Sequence, residues 1–151
     1  MKGYERKKVK DKSAMLHPSV LARMRLYRVS QKIDRVLNGQ LRSSGLNMAQ
    51  FDVLAHVGAA RGITQQGLAD RLLVTKGNIS QLLDRMEKLD LLRRCQDGRN
   101  NTLALTEKGQ ALYDRTVPVH EQLIEEQLSI LSTQEVRDLL QLLRKLDHAL
   151  D

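Results

Sequence analysis

The sequence has few aromatic residues and almost no cysteine or proline. Of its 151 residues, 3% are aromatic, none is tryptophan, one is cysteine and two are proline. A core without large rings must be built from Leu, Ile, Val, Met and Ala. That composition favours helices, because unbranched apolar side chains lose little rotamer freedom there. A single cysteine excludes an internal disulfide framework and is typical of a reducing compartment.

Long apolar stretches are also lacking. No run approaches the roughly 20 residues that a membrane-spanning helix needs. The N-terminus lacks the apolar core of a secretion signal. We therefore expect a cytoplasmic protein that has no membrane partner. A chain of 151 residues falls within the usual size of one domain.

Charge is plentiful but uneven. The net charge of +7 favours a polyanionic partner. Residues 1–42 carry 12 Lys/Arg and 3 Asp/Glu, residues 43–105 carry 8 and 6, and residues 106–151 carry 5 and 9. The oppositely charged ends should attract each other, within one chain or between two. Composition favours a disordered basic arm over residues 1–18; the alternative is an arm that contacts DNA or a dimer partner.

Apolar spacing and helix caps predict a mainly helical chain. From Val20 to Leu41, apolar residues recur every three or four positions and predict one amphipathic helix. Cap signals then mark five further helix starts. They are Asn47 with Gln50, Thr64, Thr75, Thr106, and Ser132 with Glu135. Pro118 should kink or break the helix that follows Thr106, because it removes a backbone donor.

The middle of the chain has the pattern of a helix-turn-helix followed by a hairpin. Short helices after Thr64 and Thr75 are joined by a tight connection. The second should bury one stripe, made of Ile79, Leu82, Leu83, Met86 and Leu89. Leu91–Cys95 and Thr102–Leu105 are short enough to be strands around the turn-forming "QDGRNN". A helix-turn-helix followed by a two-stranded wing is a winged helix.

The exposed face of the helix after Thr75 suits a DNA major groove. Opposite the buried stripe lie Gly77, Gln81, Asp84 and Lys88, flanked by Asn78, Ser80 and Arg85. Small residues let the backbone approach, and amide and hydroxyl groups can bond base edges. The alternative is an ordinary solvated helix face. Arg93 and Arg94 lead to a tip arginine, which could enter a narrow minor groove or be a solvent-exposed loop charge.

Together these segments resemble MarR-type transcriptional regulators. The resemblance covers residues 20–150 and rests on "GLNMAQFDVLAHV" (45–57), "ITQQGLADRLLVTKGNISQLLDRMEKLDLLRR" (63–94), "DGRNNTLALTEKGQALYD" (97–114) and "LSTQEVRDLLQLLRKL" (131–146). It implies a mainly α fold with a small β wing. Residues 46–105 would be the winged helix-turn-helix lobe, and residues 19–45 and 106–151 the helical dimerisation region. The homodimer would face a pseudo-palindromic operator in double-stranded DNA as a repressor.

The resemblance also assigns site residues. The DNA-contacting candidates are Thr64, Gln65, Thr75, Lys76, Asn78, Ser80, Gln81, Arg85, Arg94, Asp97 and Arg99. Two departures from the family pattern stand out. The wing is shorter than usual, so Arg99 could reach only phosphate. Asp90 replaces the common glycine after the helix that begins at Thr75, although aspartate tolerates a left-handed conformation less readily.

Regulators of this type usually bind a small anionic or phenolic effector. The candidate contacts are Met24, Tyr27, Arg28, Phe51, His56, Tyr113 and His120. A redox response through Cys95 and a metal response through the four histidines are weaker alternatives, because neither shows the expected placement or spacing. We expect no cofactor and no metal.

Two other function classes remain. The first is an enzyme that uses a winged helix as a module; it is disfavoured because the chain has no phosphate-binding glycine loop, no HExxH motif and no room for a catalytic domain. The second is a winged-helix protein-interaction module without specific DNA binding. The basic and polar face described above argues for the DNA-binding class.

Overall fold

The computed structural model of the protein describes residues 16–151, apart from the side chain of Asp97. The chain divides into two units, Met1–Lys32 and Ile33–Asp151, with the boundary inside the first helix. Most of the predicted basic arm, residues 1–15, lies outside the described residues. The predicted mainly α fold with a small β wing is confirmed. Within residues 16–151 there are six α-helices, and one two-stranded sheet lies between the fourth and the fifth.

The first helix begins earlier than its apolar pattern predicted. Helix α1 spans Pro18–Leu41. The His17 carbonyl accepts from the Val20 amide at 2.8 Å, and the His17 ring Nδ1 accepts from the Ser19 amide at 3.1 Å. Proline is well placed as the first helical residue, because the amide hydrogen that it lacks would have no intrahelical partner there.

The predicted caps of the central helices are confirmed. A 3-10 turn, Arg42–Ser44, leads to α2, Met48–Ala59. The Asn47 side chain accepts from the Gln50 amide at 2.8 Å, and the Gln50 side chain accepts from the Asn47 amide at 3.1 Å, which is a capping box. Helices α3, Gln65–Leu72, and α4, Lys76–Lys88, form the helix-turn-helix, capped by Thr64 and Thr75.

The wing is a regular hairpin that is longer in each strand than predicted. Strands β1, Leu92–Asp97, and β2, Asn100–Leu105, pair antiparallel from Leu92↔Leu105 to Asp97↔Asn100. Only two residues turn the chain, and Gly98 takes a φ of 61°. Because a two-residue turn matches the twist of the strands, pairing continues to its edge.

A threonine and a glycine join the wing to the next helix, α5, Glu107–Leu128. The Thr106 hydroxyl accepts from the Gly109 amide at 3.0 Å and donates to the Asp90 carbonyl at 2.5 Å. A Cβ on Gly109 would overlap the Leu91 carbonyl oxygen. Glycine at this position therefore lets α5 pack directly on the backbone that enters β1.

The sequence predicts that Pro118 kinks or breaks its helix, and the break is wrong. Helix α5 runs through Pro118 without interruption. The proline itself is exposed, while Thr116, Val117 and His120 around it are buried. We infer that burial of these neighbours offsets the backbone hydrogen bond that proline cannot donate, and the helix continues.

The last helix, α6, Thr133–Leu150, begins with the predicted capping box. The Ser132 hydroxyl accepts from the Glu135 amide at 3.1 Å, and the Glu135 carboxylate accepts from the Ser132 amide at 2.9 Å. These bonds hold the pKa of Glu135 below its ordinary value. No residue of α6 is buried. Its apolar face is therefore open to solvent within the single chain.

One apolar core holds the winged helix together. It draws on α2, α3, α4 and both wing strands, and its fully buried members include Leu54, Leu68, Leu83, Met86 and Leu103. The buried stripe predicted for α4 is confirmed at Ile79, Leu83 and Met86, while Leu82 is partly buried. Leu89 does not belong to it, because it lies at the C-cap with an exposed side chain.

In the described part of the chain, two residues other than glycine take a left-handed backbone conformation. They are Leu73, with a φ of 52° in the turn between α3 and α4, and Asp90, with a φ of 57° after α4. Asp90 thus takes the left-handed conformation at the position where the family commonly has glycine. The sequence gives no sign of the one at Leu73, whose side chain is 90% exposed.

Candidate nucleic-acid interface

The first turns of α4 offer a small, polar surface. Its cap is made by the Thr75 hydroxyl, which accepts from the Asn78 amide at 3.2 Å. The buried Ile79 and Leu83 fix the opposite face in the core. Most of the predicted contact residues on this helix are exposed: Thr75, Lys76, Asn78, Gln81 and Arg85. Ser80 is half-buried.

The start of α3 is bonded to the wing as well as to its own helix. The Thr64 hydroxyl accepts from the Gly67 amide at 3.0 Å and so caps α3. Thr64 also forms an isolated β-bridge with Thr102, and the Ile63 carbonyl accepts from the Leu103 amide at 2.9 Å. The segment before α3 therefore acts as a short third strand alongside β2, which fixes the wing against the helix-turn-helix.

Arg94 braces the other wing strand against α4. Its guanidinium pairs with the Asp84 carboxylate at 2.6 Å and with the Glu87 carboxylate at 2.9 Å. It also donates to the Ser80 carbonyl at 2.9 Å. The sequence suggested Arg94 as a DNA contact, whereas the structure gives it these three partners within the protein. Sequence reasoning missed this role because the partners lie on another element.

An open cleft brings four of the predicted residues together. It has a volume of about 230 Å³ and lies where the starts of α3, α4 and β2 meet. Predicted residues that line it are Thr64, Gln65, Lys76 and Arg99. Three further polar residues line it that are not among the predicted contacts: Gln66, Asn100 and Asn101. The sequence marks both asparagines only as turn formers, so the available signal was their position beside the tip arginine.

The predicted DNA contacts within α4, apart from Lys76, do not line the cleft. Asn78, Ser80, Gln81 and Arg85 lie further along α4. Asp97 is the last residue of β1, and its side chain lies outside the described atoms. The cleft and the exposed face of α4 thus form two neighbouring parts of one polar surface.

Several predicted effector contacts occur in the second unit. The rings of Phe51 and His120 stack with their centroids 4.0 Å apart, and His120 Nδ1 lies 3.3 Å from the Gln40 amide oxygen. Burial lowers the pKa of His120 below its ordinary value, against a smaller opposing effect of Glu121. The imidazole is therefore held in its neutral form near neutral pH.

The remaining effector candidates have different surroundings. Tyr113 packs where a Cβ on Gly58 would be, so its ring fills the space that the glycine leaves. Burial raises the pKa of Asp52, and the half-buried His56 nearby opposes that effect only in part. Met24, Tyr27 and Arg28 belong to the first unit, where all three are exposed and the Tyr27 hydroxyl accepts from the Gln31 amide at 2.7 Å.

Three observations bear on redox, metal and membrane roles. Cys95 is an exposed thiol on β1. Within the described part of the chain, no three His, Cys, Asp or Glu side chains are grouped as metal ligands. No helix among residues 16–151 combines the length and apolar character needed to cross a membrane.

Comparison with known proteins identifies the family. The family model described as "MarR family" matches residues 44–100. An HTH-type transcriptional regulator of Bacillus cereus is 38% identical over 95 residues, which are 63% of this chain and 65% of the relative. The match thus spans slightly less than two thirds of that relative. The HTH-type transcriptional regulator MhqR of Bacillus subtilis is 30% identical over 123 residues, or 80% of this chain and 85% of MhqR.

A solved structure agrees with these matches. A mutant MarR from E. coli, complexed with operator DNA, has a TM-score of 0.75 and 30% identity over 88% of this chain and 99% of that one. The order of helices and the single two-stranded wing described above are therefore a known arrangement. The sequence resemblance is confirmed, and the chain belongs to the MarR family of transcriptional regulators.

Proposed function

We propose that the protein is a dimeric DNA-binding repressor of the cytoplasm, released from a pseudo-palindromic operator by a small anionic or phenolic ligand. The observation that carries the DNA-binding part is the cleft. There Lys76 of α4 and Arg99 of the wing line one open surface with polar side chains. A surface that joins cations to hydrogen-bonding groups suits a polyanion whose edges carry donors and acceptors.

Helix α4 is the element that would enter the major groove. Its cap leaves the first turn exposed, and no atom lies within 4 Å of the position that a Cβ on Gly77 would take. The backbone there can approach a base pair closely. Asn78 and Gln81 lie on the exposed side and have amide groups that can bond base edges.

A second copy of the chain is the partner that the apolar face of α6 fits best. Leu139, Leu140, Leu143 and Leu146 recur along this helix and are 36–50% exposed. A repeated apolar stripe on a helix is typical of a seam between helices. We propose that α6 buries this stripe in a homodimer, which would also place two winged helices on one duplex.

The effector would act near the stacked Phe51 and His120. An aromatic ring and a neutral imidazole can contact the ring of a phenolic ligand, and Gln40 beside them provides an amide. Such a ligand would change DNA affinity only by binding one arrangement of the dimer more tightly than the other. We propose no catalytic step for this site.

The DNA-binding proposal is tested by a titration. Purified protein is added to labelled duplexes of its own upstream intergenic region and of a scrambled sequence of equal length, at several salt concentrations. We expect tighter binding to the upstream duplex, with affinity that falls steeply as salt rises because phosphate contacts release counterions. Absence of binding to either duplex at low salt would contradict the proposal and favour a protein-interaction module.

The dimer is tested separately by light scattering on a sizing column. Leu143→Glu places a charge in the exposed stripe of α6, while Gln141→Glu adds the same charge elsewhere on that helix. We expect the wild type and Gln141→Glu to elute with twice the mass of one chain, and Leu143→Glu to shift toward the monomer. A wild type with the mass of one chain would contradict this part of the proposal.

A further inference from the structure

The cleft also bears on what the wing arginine contacts. Three segments meet there: the start of α3, the start of α4 and the start of β2. Its volume of about 230 Å³ is larger than the volume that several water molecules occupy in the liquid, at about 30 Å³ each. The cleft is therefore large enough to hold a phosphate group of a nucleic-acid backbone.

The lining suits an anion. Its charged residues are Lys76 and Arg99, and no carboxylate is among the lining residues that the structure describes. The polar remainder includes the amide side chains of Gln65, Gln66 and Asn101. Helices α3 and α4 also begin at this cleft, where the first backbone amides have no intrahelical partner and the helix dipole favours negative charge.

The wing is attached closely to the helix-turn-helix, and this attachment keeps Arg99 near the cleft. Strand β2 is bonded to the start of α3 at Thr102 and Leu103, and β1 is braced to α4 by Arg94. Arg99 lies three positions before Thr102. A strand rises about 3.3 Å per residue, so its backbone lies only about 10 Å beyond this attachment.

We propose that Arg99 and Lys76 hold the same backbone phosphate in this cleft, so that Arg99 is a phosphate clamp and does not read the minor groove. Arginine can bind a phosphate through two parallel N–H···O bonds, and lysine adds a point charge. Arg94 is a positioning residue that keeps the wing at this distance from α4. This inference rests on the proposed DNA-binding function and specifies how that surface works.

A phosphate contact and a minor-groove contact by Arg99 predict that affinity depends differently on the DNA sequence. A phosphate contact positions the protein but carries no direct sequence information. An arginine in the minor groove instead favours narrow A·T-rich tracts, where the negative potential is enhanced. Loss of Arg99 should therefore weaken binding equally on all flanking sequences in the first mode, and unequally in the second.

The test is a binding study of variants on three duplexes: the upstream sequence with A·T flanks, the same sequence with G·C flanks, and a scrambled control. We expect Arg99→Ala to lower affinity about 10- to 100-fold for each protomer, the usual range for a hydrogen bond to a charged group. The factor should be the same on all three duplexes. The slope of log affinity against log salt should fall by about 0.9 for each protomer, the value for one phosphate contact.

Coupling between the two cations is measured with Lys76→Ala and the double variant. Because both side chains hold one phosphate, the double variant should lose less affinity than the product of the two single losses. Arg93→Ala is the matched control, since it removes an exposed wing cation that does not line the cleft and should change affinity less than about threefold. Unchanged melting midpoints show that each variant is folded.

Two results would overturn the inference while leaving the proposed function intact. One is an Arg99→Ala variant that loses affinity on A·T flanks but not on G·C flanks. The other is a double variant whose loss equals the product of the single losses. If instead the wild type binds none of the duplexes at low salt, the proposed function itself fails and this inference fails with it.

Discussion

Replacing Gly109 should destabilise the fold more than replacing any other glycine that the structure describes. A Cβ added there would overlap the Leu91 carbonyl oxygen and lie 2.8 Å from the Leu91 carbonyl carbon and 3.2 Å from its Cα. All three are backbone atoms, so no side-chain rotation relieves the clash. The same carbonyl accepts from the Thr106 amide at 3.1 Å, and this bond holds the junction between wing and α5.

The cost of Gly109→Ala can be worked from these contacts. Overpacking of this kind costs about 1–3 kcal/mol, and a lost backbone hydrogen bond costs about 1 kcal/mol. The better helix propensity of alanine returns up to about 1 kcal/mol. We therefore expect a loss of about 1–3 kcal/mol in the free energy of unfolding, or about 2–12 °C in the melting midpoint for a chain of this size.

The assay is thermal and urea denaturation followed by circular dichroism, at one protein concentration for all variants. Gly39→Ala is the control, because Gly39 lies within α1 and no atom lies within 4 Å of its added Cβ. That variant should gain up to about 1 kcal/mol from helix propensity. A Gly109→Ala variant as stable as the wild type would refute the reasoning about the junction.

Four further substitutions test three separate parts of the structure. Gly77→Ala should raise the free energy of unfolding by about 0.5–1 kcal/mol, because its added Cβ meets nothing in the free protein. It should also weaken DNA binding, because that Cβ lies on the face proposed to approach the bases. Denaturation measures the first effect and fluorescence anisotropy titration with DNA the second; an unchanged affinity for DNA would contradict the placement of α4 in the major groove. Leu73→Gly and Asp90→Gly should each stabilise the protein by about 1 kcal/mol, since both residues have positive φ; a fall in the urea midpoint of either would contradict this. Because burial lowers the pKa of His120, the unfolded chain binds more protons than the folded chain as pH falls below the ordinary histidine pKa of about 6.5, and stability should fall in that range. His120→Phe keeps the stack on Phe51 and should flatten this part of the pH profile; an identical slope in wild type and variant would contradict this prediction.

Features encoded by neighbouring residues could be predicted from the sequence. The caps at Asn47, Thr64, Thr75, Thr106 and Ser132 are all present, because each depends on a side chain and an amide three residues apart. The hairpin follows equally from Asp97-Gly98, although the strands are longer than their apolar content suggested. Local chemistry thus determines where most of the elements begin.

Features that join distant elements could not be predicted in this way. The pairing of Arg94 with Asp84 and Glu87 depends on β1 lying beside α4, and the arginine by itself gives no sign of it. Pro118 predicts a helix break, but the burial of its neighbours depends on packing by α2 and the end of α1. Asn100 and Asn101 gain their place in the cleft because β2 is bonded to the segment before α3 at Thr102 and Leu103.

The lack of buried residues in α6 affects how well a single chain resists proteolysis in a cell. Within one chain, its 18 residues are supported by the Ser132 cap and by pairs such as Gln134 with Asp138. A helix of that length is marginal in water without tertiary packing. Fraying of α6 would expose its leucines and backbone to proteases in a single chain. If the proposed homodimer covers this helix, single chains would be degraded faster than assembled ones, and newly made chains would persist only at concentrations at which they assemble.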